Sequence, residues 1–124
     1  MHIDHVNISA PGELLEKVRS FYRDVLGLEE GFRPDFSSGG FWLYSKGQAI
    51  IHLAENPERE ANEKQGFFDH FALRVADLSP IIGRLDQFGV DYHRVHLQEI
   101  GLSQLFFKDP SGTGVEVNCL DKPI

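Results

Sequence analysis

A short pattern occurs twice in this chain, and it limits the possible folds more than any other feature of the sequence. Residues 3–8 read IDHVNI and residues 68–73 read FDHFAL, so each copy places Asp-His before alternating apolar residues. Alternation of this kind is typical of a β-strand with one buried face. Its recurrence 65 residues later predicts two copies of one structural unit.

The first copy predicts the element order β-α-β-β-β. Apolar residues recur at helical spacing between Glu13 and Leu26, and Gly27 occupies the position of a C-terminal cap. Apolar or alternating runs bounded by turn residues predict the strands. The predicted ranges are a strand over 3–9, a helix over 13–26, and strands over 28–32, 40–45 and 48–54.

The second copy predicts the same order of elements. Ser79 and Pro80 mark the first turn of its helix, and Gly89 follows as a cap. The sequence DPSG over 109–112 predicts a type I turn before the last strand. The apolar stripe of the helix is Leu78, Ile81, Ile82, Leu85 and Phe88. The predicted strands cover 68–75, 90–95, 104–108 and 114–120.

The length of the chain, 124 residues, predicts a single domain over 1–124. Residues 55–66, ENPEREANEKQG, are polar and without periodicity, which is typical of an exposed connection. We therefore predict module one over 1–55, a linker over 56–66 and module two over 67–124. The predicted fold class is α+β, with two tandem β-α-β-β-β modules that form a curled mixed sheet.

Charge and hydropathy exclude two kinds of partner. Acidic residues number 19 against 12 basic ones, for a formal net charge of -7, and Lys and Arg form no block. A protein of this charge is not expected to bind the phosphate backbone of nucleic acid. No apolar run approaches the ~18 residues of a membrane helix, and no apolar leader follows Met1. We therefore expect no membrane segment and a cytoplasmic location.

The repeat also aligns four potential metal ligands. His5 and His70 occupy matching positions, and His52 follows the first by 47 residues as Glu116 follows the second by 46. Strand alternation places all four on the sheet face opposite the helices. A single strand histidine is more often packed than ligating, so the prediction depends on the paired placement. Three imidazoles and a carboxylate suit Zn²⁺, Ni²⁺, Co²⁺ or Fe²⁺.

Other polar and aromatic residues lie near these positions in the sequence. Asp4 and Asp69 precede the two repeated histidines, and a salt link or a turn is the expected role of each. His93 and His96 have no symmetric counterparts and are read as surface or substrate-edge residues. The candidate substrate-binding aromatics are Trp42, Tyr44 and Phe106, for which core packing is the alternative.

The duplicated unit, its two Asp-His openings, the motif FYRDVLGL over 21–28 and the motif FFKDPSGTGVEVN over 106–118 together resemble the vicinal oxygen chelate superfamily. This superfamily includes glyoxalase I, extradiol dioxygenases, fosfomycin-resistance thiol transferases and bleomycin-binding proteins. The resemblance implies ligands from the first and last strands of each module, which match His5, His52, His70 and Glu116. It also implies a homodimer and a small-molecule substrate held through neighbouring oxygens at a divalent metal.

The resemblance leaves the reaction open. One reading is a glyoxalase-type isomerase or lyase in which Glu116 moves a proton, although glyoxalase I members usually carry Glu or Gln at the position of His52. The second is an Fe²⁺ dioxygenase that uses His5, His70 and Glu116, with His52 or His93 as an acid-base helper. The third is a ligand-binding protein without turnover.

A thiol-transferase function ranks lower than these three readings. That branch of the superfamily would need a basic pocket for a phosphonate. Only Arg74 and Lys108 are plausible contributors to such a pocket in this sequence.

Overall fold

One β-α-β-β-β unit occurs twice in the computed structural model, which describes residues 1–121. The chain divides into two compact units, Met1–Lys64 and Gln65–Ile124. Each unit contains one helix and one four-stranded mixed sheet. The predicted α+β class is therefore confirmed, while the single domain and its linker stay predictions.

The first unit builds its sheet around one parallel and two antiparallel pairings. Its elements are β1 (Val6–Ala10), α1 (Gly12–Asp24), β2 (Glu29–Gly31), β3 (Gly40–Ser45) and β4 (Gln48–Glu55). The strand order is β1-β4-β3-β2, in which β1 runs parallel to β4. The last two strands form a hairpin whose turn residues, Lys46 and Gly47, both have positive φ angles, as a type I′ turn requires.

The second unit repeats this topology. Its elements are β5 (His70–Arg74), α2 (Ser79–Gln87), β6 (His93–Leu97), a short 3₁₀ turn (Gln98–Ile100), β7 (Leu102–Lys108) and β8 (Gly114–Leu120). The strand order is β5-β8-β7-β6, and β5 runs parallel to β8. The predicted turn over 109–112 is present, because the amide of Gly112 donates to the carbonyl of Asp109 at 2.9 Å.

The core of the first unit lies between α1 and one face of its sheet. The helix buries the apolar stripe that the sequence predicts, and it contacts β1, β3 and β4. Its buried side chains are Leu15, Val18, Phe21 and Tyr22, and those of the sheet are Leu43, Ile51 and Leu53. Burial of each large apolar side chain contributes about 1.5–3 kcal/mol. Because α1 covers only one face of the sheet, the opposite face is free to carry polar groups.

The second helix buries only part of its predicted stripe. Ile81 and Leu85 are buried, but Phe88 is 50% exposed, so its assignment to the stripe was wrong. The physical reason is that α2 ends at Gln87, and Gly89 turns the chain with a φ angle of 66°. Neither helix of the described residues has the length and apolar character needed to cross a membrane.

Only β3 and β8 have the predicted bounds, and the two largest differences are at the starts of β1 and β6. The first strand begins at Val6, where pairing with Ile51 starts, so His5 precedes the ladder. The strand predicted over 90–95 instead covers His93–Leu97. Val90 still donates its amide to the carbonyl of Leu85 at 2.9 Å, so this segment closes the helix before the strand can begin.

Candidate functional site

His70 and Glu116 lie on the same face of the second sheet and contact each other. In the parallel pairing of β5 with β8, His70 is opposite Gly114 and Ala72 is opposite Glu116. Val115 and Val117 point to the other face, where both are buried. The Nε2 atom of His70 is 3.2 Å from Oε1 of Glu116. The predicted orientation of these two residues is thus confirmed within the unit.

The other ring nitrogen of His70 is held by the residue before it. Nδ1 of His70 lies 2.7 Å from Oδ2 of Asp69, which confirms the expected salt link. This carboxylate, with a further contribution from the charge of Glu116, raises the pKa of His70 above its ordinary value. A carboxylate on one imidazole nitrogen is the arrangement by which proteins orient a histidine so that the other nitrogen binds a metal.

Glu116 is mostly buried and makes a different contact with each carboxylate oxygen. Its side chain faces His70 through Oε1, while Oε2 accepts a hydrogen bond from Nε2 of Gln104 at 3.2 Å. Phe106 is opposite Glu116 in the ladder, and its ring lies edge-on to that of His70 at 6.2 Å. The row Asp69, His70, Glu116 and Gln104 is therefore continuous.

The backbone at Gly114 leaves no room for a side chain beside this row. A Cβ atom there would lie 2.5 Å from the carbonyl oxygen of Asp69 and 2.9 Å from Cβ of His70. Both separations are shorter than side-chain packing allows, so any larger residue would displace the Asp69–His70 segment. Glycine at this position is a requirement of the site.

In the first unit, three rings form one stack. The imidazoles of His5 and His52 have centroids 3.7 Å apart with an 8° angle between their planes. Trp42 stacks on the other side of His52 at 4.0 Å. Nδ1 of His5 lies 2.7 Å from Oδ2 of Asp4, which repeats the pairing seen at Asp69.

His52 has a different hydrogen-bonding environment from the other two histidines. Its Nε2 donates to the carbonyl of Ala49 at 3.2 Å. Burial, together with the charge of His5, lowers the pKa of His52 below its ordinary value. Both effects favour the neutral form of the ring, and the nitrogen that donates its proton faces the backbone carbonyl of Ala49.

This stacking limits how His5 and His52 can share a metal. An imidazole binds a metal in the plane of its ring at about 2.0–2.1 Å, whereas these two parallel planes are stacked with centroids 3.7 Å apart. One ring must turn before both can ligate the same ion. Within either unit, no three His, Cys, Asp or Glu side chains among residues 1–121 lie close enough to hold a metal. The four-ligand set stays a prediction.

Each unit has a cavity that includes one or more of the predicted residues. In the second unit, a cavity of about 600 Å³ is lined by His70 and Phe106, together with Asp91, His93 and Lys108 among others. In the first, a cavity of about 350 Å³ is lined by Trp42, His52 and Arg33 among others. Tyr44 lies outside both linings, and its hydroxyl donates to the carbonyl of Phe32.

Sequence reasoning did not find two residues of these sites. Gln104 reaches Glu116 across the β7–β8 ladder, and Arg33 enters the cavity of the first unit from the segment between β2 and β3. Alternation does place Gln104 on the same face as Glu116, so a search for polar partners on that face was possible. Arg33 follows no periodic pattern that would have marked it.

The duplicated fold and its two Asp-His pairs define a glyoxalase-type protein. A model of the Glyoxalase/Bleomycin resistance protein/Dioxygenase superfamily matches residues 2–117, so the chain belongs to this superfamily. The Arabidopsis thaliana protein "Glyoxylase I 4" is 30% identical over 133 aligned residues, which cover 100% of this chain and 76% of that protein.

Two solved structures share the fold at lower identity. Lactoylglutathione lyase from Agrobacterium tumefaciens is 23% identical with a TM-score of 0.68, and the match covers 94% of this chain and 92% of that one. A fosfomycin resistance protein from Listeria monocytogenes, solved with Mn(II) and a dihydroxypropylphosphonic acid, is 14% identical with a TM-score of 0.73, over 96% and 92% of the two chains.

Proposed function

We propose that this protein is a metal-dependent enzyme of the glyoxalase type that acts on a small molecule with two neighbouring oxygens. The proposed metal ligands are His5, His70 and Glu116. The observation that carries the proposal is the row in which Asp69 holds Nδ1 of His70 while Nε2 of the same ring faces Glu116. An oriented imidazole beside a carboxylate fits Zn²⁺, Ni²⁺, Co²⁺, Mn²⁺ or Fe²⁺.

The proposed ligands and the residues that hold them have separate roles in this proposal. Asp4 and Asp69 fix the rings of His5 and His70 through Nδ1, so that Nε2 of each is the nitrogen directed to the metal. Gln104 holds Oε2 of Glu116 and so leaves Oε1 for the ligand position. When bound, the metal supplies a Lewis acid to the two substrate oxygens. Glu116 is also proposed as the residue that accepts and returns a substrate proton.

In this proposal His52 supports the site without binding the metal. Its ring lies between those of His5 and Trp42, and its Nε2 proton is directed at the carbonyl of Ala49. A neutral ring in this position holds the orientation of His5 by stacking. Replacement of His52 by Phe, which keeps a flat ring, is therefore expected to preserve metal binding.

The second candidate function is an Fe²⁺ dioxygenase. The stacking of His52 favours a set of two histidines and one carboxylate, which leaves positions open for substrate and oxygen. His93 lines the same cavity as His70 and is the proposed acid-base helper. The likeness to the Arabidopsis protein named "Glyoxylase I 4" supports the first candidate over this one.

Metal titration tests the ligand set. Metal-free protein without a His-tag is titrated with Co²⁺, whose visible absorption reports the ligands, and bound metal is measured by elemental analysis. We expect near-stoichiometric binding by the wild type and its loss in His70→Ala and Glu116→Gln. The control is His96→Ala, a histidine of the same unit that contacts Ser103 and lies outside the row. Binding that survives both ligand variants would overturn the proposal.

The reaction is tested with the reconstituted protein. Isomerisation of a hemithioacetal without oxygen uptake supports the glyoxalase function. Oxygen consumption with catechols by the Fe²⁺ form supports the dioxygenase function instead. Stoichiometric metal without turnover of either substrate would leave a ligand-binding protein.

We also propose a homodimer. Strands β1 and β5 lie at the edges of their sheets, where unpaired backbone groups favour association with another chain. Light scattering coupled to gel filtration measures the oligomeric state, and a monomer at micromolar concentration would contradict this expectation.

A further inference from the structure

We propose that the cavity of the first unit binds the acidic group of a small, flat organic anion, a carboxylate or a phosphonate, and that Arg33 selects it. The inference rests on the proposed function in one respect: it takes this cavity, lined by His52 and Trp42, to be part of the substrate site. It adds the chemical class of the substrate, which neither the fold nor the proposed ligand set specifies.

The lining of the cavity carries one positive charge and no negative one. Its described residues include no Asp or Glu, and Arg33 is its one permanently charged side chain. The remaining polar side chains are neutral or weakly basic. The full lining is Asn7, Arg33, Phe36, Ser37, Ser38, Trp42, His52, Leu53 and Ala54. The cavity of the second unit differs, because Asp69 and Asp91 line it beside Lys108.

Arg33 forms no ion pair within 4.0 Å with any acidic side chain among residues 1–121. Its guanidinium group donates to two backbone carbonyls, those of Ser38 at 3.0 Å and Gly39 at 3.4 Å. Its Nε atom is buried without a hydrogen-bond partner. A partly desolvated cation without a direct ion-pair partner is costly, and an anion in the cavity would offset that cost. An unpaired arginine is unexpected in a chain of net charge -7.

The guanidinium group is also held in a fixed position. The two carbonyl contacts fix its plane, and the ring of Phe36 lies beneath it at 4.8 Å. Two of its five N–H groups are engaged by these carbonyls, so each terminal nitrogen keeps one free N–H. A rigid group of this kind binds an anion with little loss of conformational entropy.

Aromatic residues provide a surface for the flat part of the ligand. The rings of Phe36 and Trp42 are tilted by 45° with centroids 6.1 Å apart, and Phe36 is half exposed. The cavity volume of about 350 Å³ lies at the lower end of the range for small-molecule sites. The site therefore suits a molecule about the size of a substituted benzene ring with one acidic group.

Trp42 makes this proposal directly measurable, because it is the single tryptophan of the chain. Metal-free protein is titrated with benzoate, phenylphosphonate and the neutral isostere benzamide, and tryptophan emission is recorded. We expect saturable quenching by benzoate, by phenylphosphonate or by both. An anion that quenches should bind about tenfold tighter than benzamide, and salt should reduce this difference in affinity. Inorganic phosphate serves as the probe for charge without a flat group.

Two variants with the same change in net charge provide the control. Arg33→Gln is expected to reduce the affinity for the anion about tenfold and to leave benzamide unchanged. Arg23→Gln removes an exposed charge paired with Asp24 on α1 and is expected to bind like the wild type. Arg33→Lys is expected to retain part of the anion preference, because it keeps the charge without the planar fork.

The outcomes separate this proposal from the proposed function. Equal binding of benzoate, phenylphosphonate and benzamide, or wild-type anion binding by Arg33→Gln, would overturn it. Circular dichroism of each variant shows whether the fold is intact, and Arg33→Lys gives a second reading if the glutamine variant unfolds. Because the titration uses metal-free protein, a failure here leaves the metal-binding result standing, and the converse also holds.

Discussion

Gln104 and Glu116 lie on neighbouring antiparallel strands, and the amide of Gln104 donates to Oε2 of the glutamate at 3.2 Å. The register pairs Glu116 with Phe106 and Gln104 with Asn118, so this contact runs diagonally between two rungs of the ladder. It occupies the carboxylate oxygen that does not face His70. The glutamine thus fixes which oxygen of Glu116 is presented to the proposed metal.

Replacement of Gln104 by Leu is expected to weaken metal binding about tenfold while the fold persists. The reason is that Glu116 would lose the contact that orients its carboxylate. Co²⁺ titration with visible absorption measures both the affinity and the ligand geometry. Gln87→Leu, at the exposed end of α2, makes the same exchange away from the site and is expected to bind as the wild type does. An unchanged Co²⁺ affinity in Gln104→Leu would show that Gln104 does not orient Glu116 for metal binding.

Replacement of Asp69 by Asn is expected to weaken metal binding by about 10- to 100-fold. An amide can donate to Nδ1 of His70 and so favour the wrong tautomer, with the proton on Nε2. Isothermal titration with Zn²⁺ measures the effect. Asp91→Asn changes another carboxylate of the same cavity and serves as the control. Equal affinities of the two variants would show that Asp69 acts only through its charge.

Replacement of Gly114 by Ala is expected to lower both stability and metal affinity. The new Cβ atom would lie 2.5 Å from the carbonyl oxygen of Asp69, so the Asp69–His70 segment must shift. Gly83→Ala is the matched control, since its Cβ meets nothing within 4 Å and Gly83 lies inside α2. That change is expected to raise the free energy of unfolding by about 0.5–1 kcal/mol. Urea denaturation compares the two variants.

Asp77 is expected to stabilise α2 in a pH-dependent way. Its Oδ1 accepts a hydrogen bond at 2.9 Å from the amide of Ser79, the first residue of α2. Asp77 therefore caps the helix, because Leu78 at the N-cap position makes no side-chain hydrogen bond. The bonds with the amide and side chain of Ser79 lower the pKa of Asp77 below its ordinary value of 3.8. A carboxyl group with a depressed pKa contributes stability above its unfolded-state pKa and loses it as pH falls through the folded-state pKa.

The measurement for Asp77 is the melting temperature as a function of pH. At pH 7 we expect Asp77→Asn to melt slightly lower than the wild type and Asp77→Ala lower still, because Asn retains an acceptor. The difference between wild type and Asp77→Asn should shrink as pH falls below 3.8. A difference that is constant between pH 7 and pH 3 would show that the charge of Asp77 contributes nothing.

Much of the fold could be predicted from local patterns. The ranges of β3 and β8 are those predicted, because each is an apolar or alternating run bounded by Gly or turn residues. The predictions failed where an element ends through contacts with the next one. Phe88 has the spacing of the α2 stripe, but the chain turns at Gly89 and leaves its ring half exposed.

The sequence by itself determined the duplicated unit, its α+β class and the face that carries His70 and Glu116, because alternation and repetition are properties of the chain. Only the tertiary structure decided which side chains touch on those faces. His52 stacks on His5, and Gln104 holds Glu116, although each pair is distant in sequence. Arg33 lines the cavity of the first unit and forms no direct ion pair with an acidic side chain of residues 1–121. The sequence had instead pointed to Arg74 and Lys108 as the basic contributors to a phosphonate pocket. Strand register, ring orientation and charge pairing depend on the packing of distant residues, which no local pattern encodes.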